Sequence, residues 1–152
     1  MGLFFNISEM LYNVSYKNNK ISQIIDEEVG EPYSLKERLR LRGIGSSKLI
    51  IIDASPEIAK LLNLDNNRNQ CNIELRPDGI ILGFRSLLES FAFVIPFYKL
   101  VIYKGEAESY SIYRDHQFVK IEAKPTDKAT HHFIKKILAA KTNIATARVD
   151  DL

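Results

Sequence analysis

The chain has 152 residues, 45% hydrophobic and 26% charged, with a formal net charge of +2. That length suits one domain with a real core and falls short of two independent ones. The near-neutral balance lacks the basic excess of a typical nucleic-acid-binding domain, and a single cysteine, Cys71, excludes an internal disulfide framework.

No secretory pattern opens the sequence, so the expectation is a reducing, cytoplasmic setting. The longest apolar run, Leu87 to Tyr103, is broken by Glu89, Ser90, Pro96 and Lys99 and is too short to span a bilayer. Leu3, Phe4, Ile7, Met10, Leu11 and Val14 recur at helical spacing, which predicts an amphipathic first helix packed on the core. Only Lys17 and Lys20 follow it, too thin a basic face for a membrane-surface anchor, and Asn6 stands where a myristoylation signal needs Ser or Thr. KNNK at 17–20 is a turn signal, and the next segment ends in an acidic cluster, Asp26, Glu27, Glu28 and Glu31, before a loop.

Ser34 with Glu37 matches a capping box and Gly43 stands where a helix C-cap belongs, so a short helix over residues 35–42 is favoured. The same residues also alternate as a strand with its cations on one face. Either way Lys36, Arg38, Arg40 and Arg42 put four cations in seven positions, a candidate anion- or partner-binding patch. The competing reading is a solvated face partly neutralised by the acidic cluster. Residues 48–52 read as a strand, and Ser55-Pro56-Glu57 opens a helix to about Leu62. Asp53 at the strand's end resembles the start of a receiver domain, but the further βα units that fold needs do not follow. The asparagine-rich stretch 64–70 is the best internal boundary. It divides an N-terminal α/β extension, residues 1–65, which can belong to the same core, from a second part over 71–141 and a tail, 142–152.

From Cys71 the pattern is β. Residues 72–76 alternate, Arg76-Pro77-Asp78-Gly79 supplies a tight reversal, and the chain returns to Phe84 as a hairpin. Phe91, Phe93 and Ile95 share one face and Tyr98, Leu100 and Ile102 another, so the alternation slips by a residue at Pro96-Phe97. A bulge or bend explains both the slip and the proline, giving one long strand, or two short ones, kinked at Pro96. Strands over 110–114 and 118–123, separated by Asp115-His116, complete an antiparallel meander. Pro125, Thr126 and Asp127 then open a long helix with an apolar stripe of Ala129, Phe133, Ile134, Ile137 and Leu138, fraying after Lys141. The fold class is α+β: a curved antiparallel meander closed by a C-terminal amphipathic helix.

The opening hairpin, Ile95-Pro96-Phe97-Tyr98-Lys99-Leu100 at the bend and Phe133 to Leu138 in the helix together resemble the pleckstrin-homology-like superfamily, especially its GRAM and bacterial members. The resemblance covers about half the chain, residues 71–141, and implies a half-barrel platform used for binding. Phosphoinositide-binding members resemble one another in a basic cluster at the first hairpin loop. That loop here is only RPDG, with Arg76 and Arg85 far apart, and the tryptophan of the eukaryotic last helix is missing, so lipid-headgroup binding is not implied.

The residues suited to catalysis are Asp53, Asp115, His116, His131 and His132. Adjacent histidines on a helix point about 100° apart, so His131 and His132 do not face one metal together. Gly43-Ile44-Gly45-Ser46-Ser47 lacks the lysine and strand-to-helix context of a phosphate loop, and the thinly basic tyrosine set Tyr98, Tyr103, Tyr110 and Tyr113 makes a weak base-stacking platform. No cofactor is expected. The leading expectation is a non-catalytic binding or regulatory module that engages a protein, a peptide or a second copy through a sheet edge or the face opposite the helix. The alternatives are a small-ligand-binding or hydrolytic α+β protein with a pocket under the last helix, and salt-sensitive anion or nucleic-acid contact through the four cations.

Overall fold

Arg76 pairs with Gly79 across Pro77-Asp78, and this two-residue reversal starts a hairpin whose register runs from Arg76–Gly79 to Cys71–Phe84. Gly79 is required there by space rather than by φ: a Cβ would collide with the Ile95 carbonyl and with Val29. The computed structural model describes residues 10–64, 69–106 and 108–150, with side chains as far as residue 146. Its elements are β1 (Leu11–Asn13), α1 (Asn19–Val29), α2 (Leu35–Arg40), β2 (Leu49–Ala54), α3 (Pro56–Asn63), β3 (Gln70–Arg76), β4 (Gly79–Ser86), β5 (Glu89–Pro96), β6 (Leu100–Gly105), β7 (Ser109–Arg114), β8 (Gln117–Glu122) and α4 (Lys128–Asp150).

The strands form one antiparallel sheet in the order β1-β5-β4-β3-β2-β8-β7-β6. It is an α+β fold with an open sheet, not a closed barrel. β2 sits in the middle and is shared: Leu49 and Ile50 pair with β3, while Ile51, Asp53 and Ala54 pair with β8. A register shift between Ile51 and Asp53 marks the bend between the two halves.

Pro96 ends β5, and residues 97–99 form a turn in which Lys99 N–H donates to the Pro96 carbonyl and Leu100 N–H to that of Phe97. Of the two expected arrangements, one long strand or two short ones, the chain takes the second, and the slipped alternation is a bend rather than a bulge. β5 and β6 stand six steps apart in the strand order, about 29 Å across a flat sheet at ~4.8 Å per step. The connection between them reaches at most about 14 Å. The sheet must therefore curl, bringing β7 beside β5: the Arg114 guanidinium on β7 donates to the Val94 carbonyl on β5 at 2.8 Å.

Two clusters fill the two sides of the sheet. The larger gathers Ile73, Leu82, Phe93, Ile95, Ile112 and Ile121 from the strands with Ile58 of α3 and Phe133, Ile134 and Ile137 of α4. The smaller lies on the outer face, where Ile21, Ile25 and Val29 of α1 cover Tyr12, Ala92 and Val94. This second layer explains why β5 is buried on both faces from Phe91 onward.

The same layer sets the N-terminal segment apart from the expected helix. Residues 1–9 of the expected first helix lie outside the described residues, but Leu11–Asn13 is a strand paired with β5. Leu11 joins the inner cluster and Tyr12 the outer one, so a strand buried on both faces presents an unbroken apolar run. The α4 stripe is rotated from the expected one. Thr130, Phe133, Ile134 and Ile137 are buried while Ala129 and Leu138 face solvent. The helix continues past Lys141 to Asp150, with Ile144 still against the core. Asp127, directly before α4, accepts from the Thr130 backbone N–H at 3.1 Å and from its hydroxyl at 2.6 Å.

Replacing Ile137 by Ala should cost about 2–5 kcal/mol of stability by leaving a cavity, whereas Leu138→Ala, at an exposed position, should cost less than about 0.5 kcal/mol. Denaturant unfolding of the two variants checks this assignment of faces. The Thr130 hydroxyl, together with its backbone N–H, holds the Asp127 carboxyl below its ordinary 3.8, against an upward push from burial. A carboxyl depressed in the folded state stabilises fully above its unfolded pKa and loses that contribution as pH falls through the folded one. Asp127→Ala should therefore cost about 1 kcal/mol near neutrality, and the difference from wild type should vanish in thermal scans well below pH 3.8.

Candidate functional site

The capping box expected at Ser34 and Glu37 is present in both directions and fixes α2 as a helix. It ends as Arg42, at φ 60, and Gly43, at φ 96, leave the helical region. None of its residues is buried. Leu35 and Leu39, one turn apart, are 74% and 73% exposed. Lys36 and Arg40 share one flank of this leucine pair and Arg38 the other, with Arg42 just beyond the helix. All four cations are exposed, and none forms an ion pair among the described residues.

Among the described residues no ion pair joins them to the acidic cluster, two of whose members serve elsewhere. Asp26 pairs with Arg76 at 3.0 Å, and Glu28 with Arg114 at 2.6 Å. Both arginines are buried, at 8% and 4% exposure. Arg76 also donates to the Gly30 carbonyl at 2.8 Å and reaches Glu74 at 2.6 Å. The guanidinium groups thus fasten α1 to the outer face of the sheet.

Arg42 also lines a cavity of about 200 Å³ between residues 43–49 and the first half of α4, with Ser46, Ser47, His132 and Lys136 among its walls. The Lys136 amine donates to the carbonyls of Leu41 at 2.6 Å and Gly43 at 2.9 Å and so draws that loop against the helix. A wider groove of about 800 Å³ opens on the outer face of β3, β4 and β5, where Asn72, Gly83 and Ala92 lie in one row and Lys48 and Arg85 stand on the walls.

The residues considered for catalysis do not converge. Asp53 bonds the Ala54 backbone N–H, Asp115 pairs with Lys99 at 3.2 Å, and His116 lies against Gln117. His131 bridges Tyr110, 2.6 Å from Nδ1, and the Lys124 carbonyl, 2.9 Å from Nε2. The carbonyl accepts only from a protonated Nε2, so in the neutral ring the Tyr110 hydroxyl donates to Nδ1. Burial pushes the Tyr110 hydroxyl above its ordinary pKa of 10.0, in keeping with this donor role. The pair ties α4 to β7 and to the β8–α4 connection. His132, one residue on, is exposed and points elsewhere. No group of three metal-ligating side chains forms among the described residues. The tyrosines divide as well: Tyr103, Tyr113 and Phe118 pack in sequence, centroids 5.6 and 5.1 Å apart, while Tyr110 belongs to the inner cluster.

A scan against protein-family models and a search of curated proteins found no match. The chain defines an α+β class with an open, curled eight-stranded antiparallel sheet and a C-terminal helix packed into it. Among the described residues no helix is long and apolar enough to cross a membrane.

Cys71 faces the inner cluster, and burial pushes its thiol up to about 12. Thiolate is the reactive species, so a maleimide at pH 8 should leave Cys71 unlabelled in the native protein and modify it fully once denaturant unfolds the chain. Labelling followed by intact-mass measurement reads this directly.

Proposed function

We propose that this protein is a non-catalytic binding module that takes an extended protein or peptide segment along the free edge of β6. The observation that carries this reading is the contrast between the two ends of the sheet. At one end β1 is only three residues long; at the other β6 has six, with neighbours on one side alone among the described residues. Val101 and Tyr103 on β6 are 42% and 60% exposed. Free edges of this length are normally covered or broken by bulges, prolines or inward charges. β6 has one exposed lysine, Lys104, and one carbonyl, that of Leu100, taken by the Lys141 amine of α4.

An added strand would gain main-chain hydrogen bonds from this edge and side-chain contacts from Val101 and Tyr103. The curled sheet with its closing helix is also compatible with the pleckstrin-homology-like resemblance of the Ile95–Leu100 segment, whose members supply platforms for binding. A second copy of the chain pairing β6 to β6 is the nearest competing occupant.

Peptides selected from a random display library should slow amide hydrogen exchange across residues 101–105, and the double change Val101→Ala and Tyr103→Ala should weaken them about tenfold while leaving the melting temperature within a few degrees. Ligands that leave exchange in β6 untouched would refute this assignment. So would turnover of a substrate that disappears on replacing Asp115 or His116.

A further inference from the structure

We propose that the cavity between residues 43–49 and α4 is a binding site for a small oxyanion of the phosphate-monoester class. This site is separate from the β6 edge and does not depend on it.

The lining is one-sided in charge. Arg42, His132 and Lys136 contribute basic groups and Ser47 a hydroxyl, while the Ser46 hydroxyl is spent on the Ser47 carbonyl and the Ile73 N–H; among the described residues no aspartate or glutamate lines the cavity. Among the described residues Arg42 and His132 have no ion pair and no side-chain hydrogen bond, so both are available to a ligand. Lys136 spends two donors on the Leu41 and Gly43 carbonyls and keeps a third. It is thus both the clamp that shapes the loop and a charge facing the space. Lys36, Arg38 and Arg40 lead along exposed α2 towards Arg42 and extend the positive potential outward from it.

Size narrows the ligand. A volume of about 200 Å³ lies below the ~300–1,000 Å³ of sites that enclose drug-sized molecules, so it suits a single anionic group rather than a nucleotide. A guanidinium offers the planar donor fork that phosphate oxygens accept. Three basic groups line the space, and the nearby Asp127 carboxylate is turned to the Thr130 N–H and hydroxyl, a balance that favours a dianion over a lone carboxylate. The floor of the cavity is apolar, supplied by β2 and α4, so the group that enters carries its charge towards Arg42 and His132. The phosphate could be borne by a free metabolite or by a side chain of a bound protein; the recognising chemistry is the same.

The test is a titration with phenyl phosphate and inorganic phosphate at constant ionic strength, followed by backbone amide shifts and calorimetry, with a phosphoserine peptide in a parallel arm. Saturable binding is expected, with shifts confined to residues 42–49 and 129–136. Arg42→Ala and His132→Ala should each weaken it about tenfold, the loss expected for one hydrogen bond to a charged group. Gly45→Leu should block it without changing charge, because a Cβ at Gly45 meets nothing within 4 Å and its φ is not left-handed. Val101→Ala should leave it unchanged, which separates this site from the β6 edge. Tighter binding of the phosphoserine peptide than of phenyl phosphate assigns the phosphate to a protein, and equal binding assigns it to a small molecule. Non-saturating shifts spread over all surface cations, full affinity in both alanine variants, or binding seen only with phosphatidic acid vesicles would each overturn the proposal.

Discussion

The three residues between Pro96 and Leu100 constrain the whole molecule. They join strands that a flat sheet would hold about twice as far apart as the chain can reach, so the sheet has to bend around an interior. The bend falls on β2, which passes from β3 to β8 through a register shift at Ile52. Once curled, the sheet leaves a hollow side that apolar strand residues line and that Phe133, Ile134 and Ile137 fill. The proline contributes by ending β5: it has no N–H to continue a ladder, and the turn that follows redirects the chain towards the opposite end of the sheet.

The other side of the sheet is organised by charge. Glu28 and Asp26 on α1 meet Arg114 and Arg76, and Arg114 also bonds the Val94 carbonyl. One guanidinium therefore touches a helix, a strand from one half of the sheet and its own strand from the other half. Buried pairs of this kind add little net stability when compared with apolar replacements, but losing one partner strands the other in a low-dielectric setting. Their contribution is to specify where α1 lies, over Ala92 and Val94 rather than further along the outer face.

Local chemistry was the legible part of the sequence. The Ser34 capping box, the Ser55-Pro56 helix start, the RPDG reversal and the Asp115-His116 turn each depend on residues within a few positions of one another, and each is found where expected. Long-range pairing was not legible. The slip at Pro96 reads equally as a bulge or a bend, because a period-two pattern cannot say that its two halves belong to opposite ends of a sheet. Leu11 and Tyr12 read as helical because both faces of β1 are covered. The acidic cluster reads as a partner of the α2 cations because they are near in sequence, while Asp26 and Glu28 pair with Arg76 and Arg114, 50 and 86 residues away. The cavity beside Gly43 was hidden for the same reason: its lysine comes from 93 residues downstream rather than from the glycine-rich loop.

The two amines of α4 have a mechanical consequence. Lys136 holds the carbonyls of Leu41 and Gly43, and Lys141 holds that of Leu100. These anchors are five residues apart, about 7.5 Å along the helix axis, and a helix shifted by one turn moves about 5.4 Å. Apolar packing alone tolerates such a slide, since a stripe repeats nearly every turn. The amines do not, because each would be carried off its carbonyl at once, so α4 is keyed to a single axial position as a bolt is by two pins.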